Sequence, residues 1–345
     1  MRVLVTGHEG YIGSVLTTRL LAEGIAVAGL DSGLFAGCDF GPPPPKVPAV
    51  RRDLRDVSAA DLEGFEAVIH LAAISNDPLG NLNPACTYAI NHAASVALAR
   101  KAKQAGVRRF LYSSSCSVYG AASPDDVLGE SAAFSPVTPY AESKVWVERD
   151  VAPLASDGFS PVFLRNATVY GVSPRLRGDL VVNNLVGWAH ATGRVLLKSD
   201  GSPWRPLVHV DDVASAFLAV LRAPIERVHG EAFNVGRSGE NYRIAEIAAL
   251  VSQAIAGSRI ETEADAGPDP RCYRVDFSKI ERRLPEFQPR WTVKTGVDEL
   301  AAAYRTHGLT TADLEGSRFL RIRRIQEQLA AGRLDADLRW TGARP

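Results

Sequence analysis

The stretch Arg2-Val3-Leu4-Val5-Thr6-Gly7-His8-Glu9-Gly10-Tyr11-Ile12-Gly13 decides the fold of this chain. Its first half is a short β-branched run that predicts a buried strand, and a helical pattern follows from about Tyr11 to Glu23. Glycines between a strand and a helix let the backbone approach a pyrophosphate and aim helix N–H groups at it. The stretch therefore predicts a phosphate-binding turn, and the alternative is a plain glycine-rich turn. The residues in this prediction are Gly7, Gly10, Tyr11, Ile12 and Gly13.

Two acidic residues follow predicted strands and fit an adenosine. The strand Ile25 to Leu30 ends in Asp31, about twenty residues after the glycines. A carboxylate there can accept both ribose hydroxyls and repels a 2′-phosphate, so it predicts NAD and not NADP. The other interpretation is a loop aspartate that caps a turn. Asp53, with Leu54, is predicted to close a third strand and to place a carboxylate near the adenine amino group.

A fourth buried strand is predicted at Ala67 to Ala73. After Leu71 it ends in Ala72 and Ala73, small residues that let the chain pass close to a cofactor. His70 lies inside this apolar run, and we interpret it as a packed core histidine.

The stretch Pro139-Tyr140-Ala141-Glu142-Ser143-Lys144 opens another helical pattern. Its tyrosine and lysine are four residues apart and share one helix face. An ammonium beside a phenol favours the phenolate, which lowers a pKa that is otherwise near 10 and suits the group to exchange a proton with a substrate hydroxyl. The same spacing also occurs by chance on amphipathic helices. The strand Arg109 to Ser115 ends in hydroxyls that point into the crevice where ligands bind.

Composition narrows the class of protein. The chain has 345 residues, 46% of them hydrophobic, with 39 basic and 39 acidic side chains. A formal net charge of zero argues against a dedicated nucleic-acid binder. The four cysteines have no zinc spacing, so we expect no metal and reduced thiols in a cytoplasmic protein. No apolar run reaches membrane-spanning length, and we expect no membrane partner.

Beyond Gly171 the alternation of strands and helices breaks down. We expect an α/β fold, a Rossmann-type doubly wound parallel sheet with a smaller, interleaved C-terminal α/β substrate domain. Asp313 to Ala331 reads as one amphipathic helix rich in arginine, which packs on the body or on a partner subunit or, less simply, binds nucleic acid or membrane. The predicted units are an NAD-binding domain at 1–171 with its sheet completed by 205–236, a substrate-binding region at 172–310 and an Arg-rich helical extension at 311–345.

Taken together, these stretches resemble the extended short-chain dehydrogenase/reductase family, in its branch acting on nucleotide sugars. The resemblance runs from Met1 to about Arg305 and depends on the joint order of several motifs. These are Thr6-Gly7-x-x-Gly10-x-x-Gly13, Asp31, Asp53-Leu54, His70-Leu71-Ala72-Ala73, Asn91, Ser113-Ser114-Ser115, Tyr140-x-x-x-Lys144 and Arg205-Pro206-Leu207-Val208-His209-Val210-Asp211-Asp212-Val213-Ala214.

The resemblance implies a role for each matched position. Tyr140 matches the catalytic acid/base, Lys144 the lysine that holds the nicotinamide ribose, and Ser115 the residue that hydrogen-bonds the reacting sugar hydroxyl. Arg205 and Arg271, the latter within Asp269-Pro270-Arg271-Cys272-Tyr273, resemble the arginines that clamp the diphosphate. The resemblance implies a homodimer. It also places Asn91 and Ser113 in the cofactor site and Ser117, Asn166, Thr168 and Asn184 in the substrate site.

Two departures bear on the reaction. The sugar 4,6-dehydratases of this family carry an Asp-Glu pair where this chain has Cys116 and Ser117, so the usual proton carriers for elimination are missing. The thiol of Cys116 could move protons if activated, or it could be a small buried filler. Many relatives place an asparagine where Thr168 stands, and Asn166 is the nearest substitute.

The leading hypothesis is an NAD-dependent nucleotide-sugar epimerase, most simply a 4-epimerase, that works through a transient keto-sugar. Its substrate is a nucleotide-diphosphate sugar. The alternatives are a reductase or dehydrogenase of a keto-sugar nucleotide, an unusual dehydratase that uses Cys116, and a catalytically silent NAD-sensing or scaffold protein. Relatives of the last kind usually lose the tyrosine or the lysine, whereas this chain keeps both.

Overall fold

The computed structural model describes residues 1–121, 123, 126–263, 267 and 271–342. Asp269, Pro270 and residues 343–345 of the predicted extension lie outside these ranges. The strands are β1 (Arg2–Thr6), β2 (Ala26–Asp31), β3 (Ala49–Arg51), β4 (Ala67–His70), β5 (Arg109–Ser115), β6 (Val127–Leu128), β7 (Ser160–Asn166), β8 (Thr168–Tyr170), β9 (Arg194–Leu197), β10 (Trp204–His209), β11 (Ala232–Val235), β12 (Asn241–Arg243), β13 (Arg259–Thr262) and β14 (Arg274–Val275).

The helices follow the same order along the chain. They are α1 (Tyr11–Ala22), α2 (Asp77–Leu82), α3 (Pro84–Tyr88), α4 (Ser95–Gln104), α5 (Pro139–Val151), α6 (Val181–Thr192), α7 (Val210–Arg222), α8 (Ile225–Val228), α9 (Ile244–Ala254), α10 (Ser278–Arg283), α11 (Val293–His307), α12 (Thr311–Glu315) and α13 (Arg321–Ala330). A π-helical segment, Ala89–Ala94, joins α3 to α4. Within the described ranges, no helix combines the length and the apolar composition that a membrane crossing needs.

Seven parallel strands form the main sheet in the order β11-β7-β5-β4-β1-β2-β3. Helices α1 and α7 pack on one face, with Leu16 and Phe217 in their shared core. Helices α4 and α5 pack on the other face, with Leu98 and Val147 in theirs. A parallel sheet covered on both faces explains the near-continuous apolar runs of its strands. The doubly wound sheet that the sequence predicts is confirmed.

A second core lies in the C-terminal half, between α6, α9 and α11, and includes Val186, Ile247 and Leu300. Two small sheets, β12-β10-β8 and β13-β9, border it.

The predicted completion of the main sheet by 205–236 is correct for β11 alone. Strand β11 takes the edge beside β7, with Phe233 opposite Leu164, so that edge is not open to β10. Instead β10 pairs with β8 and β12 in a small sheet. Strands β7 and β8 belong to different sheets, because the chain changes sheets at Ala167, whose N–H binds the Val235 carbonyl.

One predicted helix is interrupted. The helix expected from Asp313 to Ala331 is split into α12 and α13. Helix α12 ends because Gly316 continues in an extended conformation, with ψ of −177°. Asp53 also lies two residues past β3, where it caps a short 3-10 turn instead of closing the strand.

We call residues Thr311–Gly342 the C-terminal strap. Its apolar side chains Ile325, Leu334 and Leu338 pack against Ile74 and Leu79 at the mouth of the main sheet. The interpretation of this segment as one that packs on the body is therefore confirmed.

Candidate active site

A cavity of about 1090 Å³ opens at the carboxyl end of the main sheet, where open α/β sheets bind ligands. It is lined by all but two of the residues that the sequence singles out, namely Gly7, Gly10, Tyr11, Ile12, Gly13, Asp31, Asp53, Leu54, Leu71, Ala72, Ala73, Ser113, Ser115, Ser117, Tyr140, Lys144, Asn166, Thr168, Asn184, Arg205 and Arg271.

The glycine turn forms one end of this cavity. Gly7 has a φ of +73°, and a Cβ there would lie 2.8 Å from the Ala72 nitrogen. A Cβ on Gly13 would lie 2.1 Å from the Gly7 carbonyl oxygen, so a side chain at either position would collide with the backbone. Helix α1 begins at Tyr11 after Gly10, with no side-chain cap. Its free N–H groups and positive helix end are suited to a pyrophosphate.

The two predicted adenosine carboxylates both line the cavity, in different settings. Asp31 accepts hydrogen bonds from the backbone N–H groups of Glu9, at 3.1 Å, and Gly33, at 2.9 Å, and no basic side chain binds it among the described residues. Asp53 is held by Arg55, whose Nη2 lies 2.6 Å from Oδ2 and lowers the Asp53 pKa. The glycine turn, the uncapped helix and Asp31 together fit an NAD molecule.

The predicted catalytic residues converge at the other end, from β5 and α5. Pro139 and Tyr140 begin α5, and Thr138 caps it by accepting from the Ala141 N–H at 3.2 Å. The Lys144 ammonium donates to the Ser113 carbonyl at 2.7 Å and lies 5.6 Å from the centre of the Tyr140 ring. Ser115 sits close enough to the phenol to lower its pKa.

The pKa of Tyr140 departs from the prediction. Burial raises it to about 12, and Ser115 and Arg177 only partly oppose this shift. Burial also lowers the Lys144 pKa to about 7, because the ammonium loses its water. The expectation that Lys144 brings the phenol towards neutrality is therefore wrong for this structure, since burial dominates and the lysine points at a carbonyl.

A buried network fixes this end of the cavity. Glu148 and Arg165 form a bidentate ion pair between α5 and β7, with Nη2 2.6 Å from Oε2, and both are about 5% exposed. The Ser114 hydroxyl donates to Glu148 at 2.5 Å, which ties β5 into the pair. The side chain of His70, the last residue of β4, is buried and hydrogen-bonded to Thr6 and Ser95. Its interpretation as a packed core histidine is therefore confirmed.

Two buried oxygen atoms on the cavity wall have no hydrogen-bond partner in the described part of the chain. They are Ser117 Oγ and Asn166 Oδ1. The amide nitrogen of Asn166 is already used, as it donates to Ser113 Oγ at 3.0 Å. Because buried polar groups are nearly always paired, these two oxygens are suited to meet a polar ligand.

Arg205 and Arg271 come together on the same wall, although 66 residues separate them. An Nη1 hydrogen bond joins the Arg205 guanidinium to the Arg271 carbonyl, and the Arg271 guanidinium lies 2.6 Å from Asp77. Asn184, also on the wall, donates to the Gly178 carbonyl at 2.7 Å. Two guanidinium groups beside one cavity suit the oxygens of a diphosphate.

Two predicted site residues do not reach the cavity. Asn91 is fully buried in the π-helical segment, and its amide binds the backbone N–H and carbonyl of Ile74, each at 2.8 Å. It thus fixes the chain after β4 and is not part of the cavity lining. Cys116 is fully buried, its thiol donates to the Arg165 carbonyl at 3.1 Å, and burial raises its pKa. The hypothesis that Cys116 carries protons is therefore corrected, since the thiol is neutral and outside the cavity.

Several lining residues were missed by sequence reasoning. Arg177 and Asp179 form an ion pair at 2.8 Å, and Arg321 of the strap lies on the same wall. The dense charge in Arg175-Leu176-Arg177-Gly178-Asp179 could have signalled the first two. Nothing in the pattern of α13 indicates which of its arginines turns inward.

Comparisons with known proteins give one consistent family. The model of the NAD dependent epimerase/dehydratase family matches residues 3–236. The UDP-glucose 4-epimerase of Mycolicibacterium smegmatis is 32% identical over 323 residues, covering 88% of this chain and 99% of that protein.

Solved structures agree with this match. MoeE5 in complex with UDP-glucuronic acid and NAD is 28% identical with a TM-score of 0.76, covering 89% of this chain and 99% of that one. DesIV, a dTDP-glucose 4,6-dehydratase from Streptomyces venezuelae with NAD bound, is 26% identical with a TM-score of 0.78, covering 91% and 100%. With the matched family sequence and a site that fits the dinucleotide, the chain belongs to the NAD-dependent epimerase/dehydratase family of nucleotide-sugar enzymes.

Proposed function

We propose that this enzyme is a nucleotide-sugar 4-epimerase that returns its cofactor unchanged at the end of each cycle. The observation that carries the proposal is the state of the acids around the cavity. Asp53, Asp77 and Asp179 are each paired with an arginine, and Asp31 is held by backbone N–H groups. Among the described residues, the cavity therefore offers a tyrosine for proton exchange but no free acid and base for elimination of water.

In the proposed reaction each residue of the site has its own role. Tyr140 exchanges a proton with the sugar 4-hydroxyl, and Ser115 hydrogen-bonds the same oxygen. When bound, NAD supplies the acceptor that takes a hydride from C4 and gives it back on the other face. Tyr140 returns its proton to the oxygen of the 4-keto sugar, and Ser115 keeps that oxygen in place. The cycle starts from the Tyr140 phenolate, which takes the proton of the 4-hydroxyl. Because burial raises the Tyr140 pKa to about 12, the phenol that forms keeps this proton until the 4-keto oxygen takes it back.

The substrate in this proposal is a nucleotide-diphosphate sugar. Arg205 and Arg271 hold its diphosphate. The Ser117 hydroxyl donates to or accepts from a sugar hydroxyl, and Asn166 Oδ1 accepts from one. The assignment of NAD to residues 1–171 and of the sugar nucleotide to 172–310 is part of the proposal. The Mycolicibacterium smegmatis relative is a UDP-glucose 4-epimerase and MoeE5 binds UDP-glucuronic acid, so UDP-glucose and UDP-galactose are the first pair to test. The homodimer implied by the resemblance stays a prediction.

The test combines cofactor content with product analysis. Purified protein is denatured and its nicotinamide nucleotide is counted per chain, and native enzyme is incubated with UDP-galactose without added NAD. We expect about one NAD per chain and UDP-glucose as product, with no NADH accumulating. Release of water from the sugar would show a dehydratase. Turnover that needs added NADH and consumes it would show a reductase, and either result would overturn the epimerase.

A further inference from the structure

Arg321 is a buried charge that forms no ion pair with a carboxylate among the described residues, and the acid that acts on it, Asp179, is already paired with Arg177. Arg321 is 4% exposed, it lines the active-site cavity, and it is the first residue of α13. Its Nη2 donates to the Arg175 carbonyl at 3.1 Å, whereas Nη1 has no partner among the described residues. Burying a guanidinium without an anion costs free energy of folding. Such a group therefore either destabilises the protein or binds an anionic ligand.

The cluster of charged side chains around Arg321 has one more arginine than it has acids. Arg175 is paired with Asp39 at 2.5 Å, and Arg177 is paired with Asp179. Three arginines thus share two acids, and burial together with Arg177 lowers the Arg321 pKa to about 10. Since the group still carries its proton at neutral pH, the cluster attracts an anion.

Helix α13 adds to this attraction. Its N-cap residue is Leu320, which provides no side-chain cap and also lines the cavity. The free N–H groups of the first turn and the positive end of the helix therefore lie at the same place as the Arg321 side chain.

The strap places this positive group over the loop that follows β2. The Arg321 guanidinium lies 4.1 Å from the centre of the Phe35 ring. Arg324 donates to the Ala36 carbonyl at 2.7 Å, and Trp340 Nε1 donates to the Ser32 carbonyl at 2.8 Å. This loop begins directly after Asp31, the carboxylate suited to the adenosine ribose.

The strap is tied to a second loop as well, the one that carries Asp53. Arg55 donates to the Asp337 carbonyl at 2.8 Å, and Arg339 pairs with Asp56 at 2.9 Å. The strap therefore bridges the two loops that hold the predicted adenosine carboxylates.

We propose that Arg321 and the N-terminus of α13 form a pyrophosphate-binding site, and that the pyrophosphate they hold is that of NAD. The strap then acts as a clasp that keeps the cofactor on the enzyme between turnovers. NAD is the assigned ligand because Arg321, Arg324 and Trp340 all contact the loop after Asp31, whereas the predicted sugar-diphosphate arginines are Arg205 and Arg271. The inference needs NAD binding but not the 4-epimerase reaction.

The main test measures how fast NAD leaves the holoenzyme. Enzyme carrying radiolabelled NAD is chased with unlabelled NAD, for the wild type, Arg321→Met and the control Arg323→Met, whose exposed arginine lies on the same helix. We expect Arg321→Met to lose label about tenfold faster or more, the loss typical of one hydrogen bond to a charged group. We expect Arg323→Met to match the wild type. Equal rates for all three would overturn the proposal.

A second arm separates the two sources of pyrophosphate. UDP is titrated into each holoenzyme by calorimetry, and its Kd should be the same in all three proteins. A weaker UDP affinity in Arg321→Met with unchanged NAD exchange would assign Arg321 to the nucleotide sugar and overturn the NAD assignment.

A third arm separates binding from a structural role. The melting temperature of each protein is measured with NAD bound and after NAD is stripped. Removal of an unneutralised buried charge should leave the stripped Arg321→Met at least as stable as the stripped wild type, while the rise in Tm on adding NAD shrinks. An equal fall in Tm in both states would mean that Arg321 only supports the fold. Trp340→Phe, which loses the bond to Ser32 at the far end of the strap, should also speed NAD exchange if the clasp exists.

Discussion

The carboxyl end of the main sheet, which we call the sheet edge, lines the same cavity as the C-terminal strap. The two regions are built differently. At the sheet edge, side chains bond to one another in the interior, as Glu148 and Arg165 do between α5 and β7. In the strap, long side chains reach across to backbone carbonyls of loops, as Arg324 and Trp340 do. Its ion pair Arg339–Asp56 is 40% and 43% exposed. Exposed pairs contribute little, about 0–1 kcal/mol, whereas breaking a buried pair costs several.

The difference between a buried network and a weakly held segment fits two separate tasks, proton exchange and cofactor retention. Groups that exchange protons need fixed positions, which a buried network provides. A segment that admits and retains a cofactor has to open without unfolding the core, which weak surface contacts allow. We therefore expect changes at the sheet edge to alter turnover and changes in the strap to alter cofactor retention.

The largest effect is expected at Tyr140. Tyr140→Phe removes the only atom that exchanges the proton in the proposed reaction, so kcat should fall by about a thousandfold, within the range typical of a lost general acid/base. The rate of labelled NAD exchange should stay at the wild-type value. Full turnover in this variant would refute the mechanism, and fast NAD loss would show that the two tasks are not separate.

The next effect concerns acid stability of the sheet. Burial lowers the His70 pKa to about 3. The imidazole therefore stays neutral in the folded protein at pH values where it takes up a proton in the unfolded chain, below about pH 6.5. The free energy of unfolding should therefore drop by about 2 kcal/mol more between pH 7 and pH 5 in the wild type than in His70→Gln. Urea titrations at both pH values measure this difference.

Parallel curves for the two proteins would mean that His70 is not the titrating group. Arg321 of the strap, with a pKa lowered to about 10, keeps its charge over this range. The acid effect should accordingly belong to the sheet and not to the strap.

A smaller effect is expected at Arg205. Arg205→Met removes one charged hydrogen-bond donor from the proposed diphosphate site, so KM for the nucleotide sugar should rise by about tenfold with little change in kcat. Steady-state kinetics with UDP-galactose measure both constants. The control is Arg194→Met, whose arginine is half exposed and pairs with Glu261 away from the cavity. A large fall in kcat at unchanged KM would place Arg205 at the reacting centre instead.

The smallest effect is expected at Cys116, which lies just behind the sheet edge. Because its buried thiol is outside the cavity, Cys116→Ala should keep kcat within about twofold of the wild type, although loss of packing lowers stability. Thermal unfolding and turnover are measured on the same preparation. A hundredfold loss of turnover in a folded variant would restore the dehydratase hypothesis.

The sheet edge could be predicted almost completely from the sequence. Its residues sit at the ends of strands and on one helix face, and those positions follow from local periodicity. Prediction failed where a contact depends on distant parts of the chain. Cys116 and Ser117 are neighbours in sequence, yet only the packing of Arg165 turns the first inward and leaves the second on the cavity wall.

The strap could be predicted as helical but not as part of the site. Its arginines look alike in the sequence, and only the break at Gly316 and the packing of Ile325 decide that Arg321 is buried while Arg323 is exposed. The pKa of Tyr140 was misjudged for a similar reason, since burial is a property of the folded chain and not of the spacing to Lys144.

The strap's position in the chain also has a consequence for how the enzyme is made. Residues 311–342 leave the ribosome after Asp31, Asp53, Tyr140 and Lys144 have emerged. At typical synthesis rates of about 5–20 residues per second, those residues take a few seconds to appear. During that interval the nascent enzyme presents an uncovered nucleotide groove to the free NAD of its surroundings. The proposed clasp can therefore close only after the rest of the NAD site has been made.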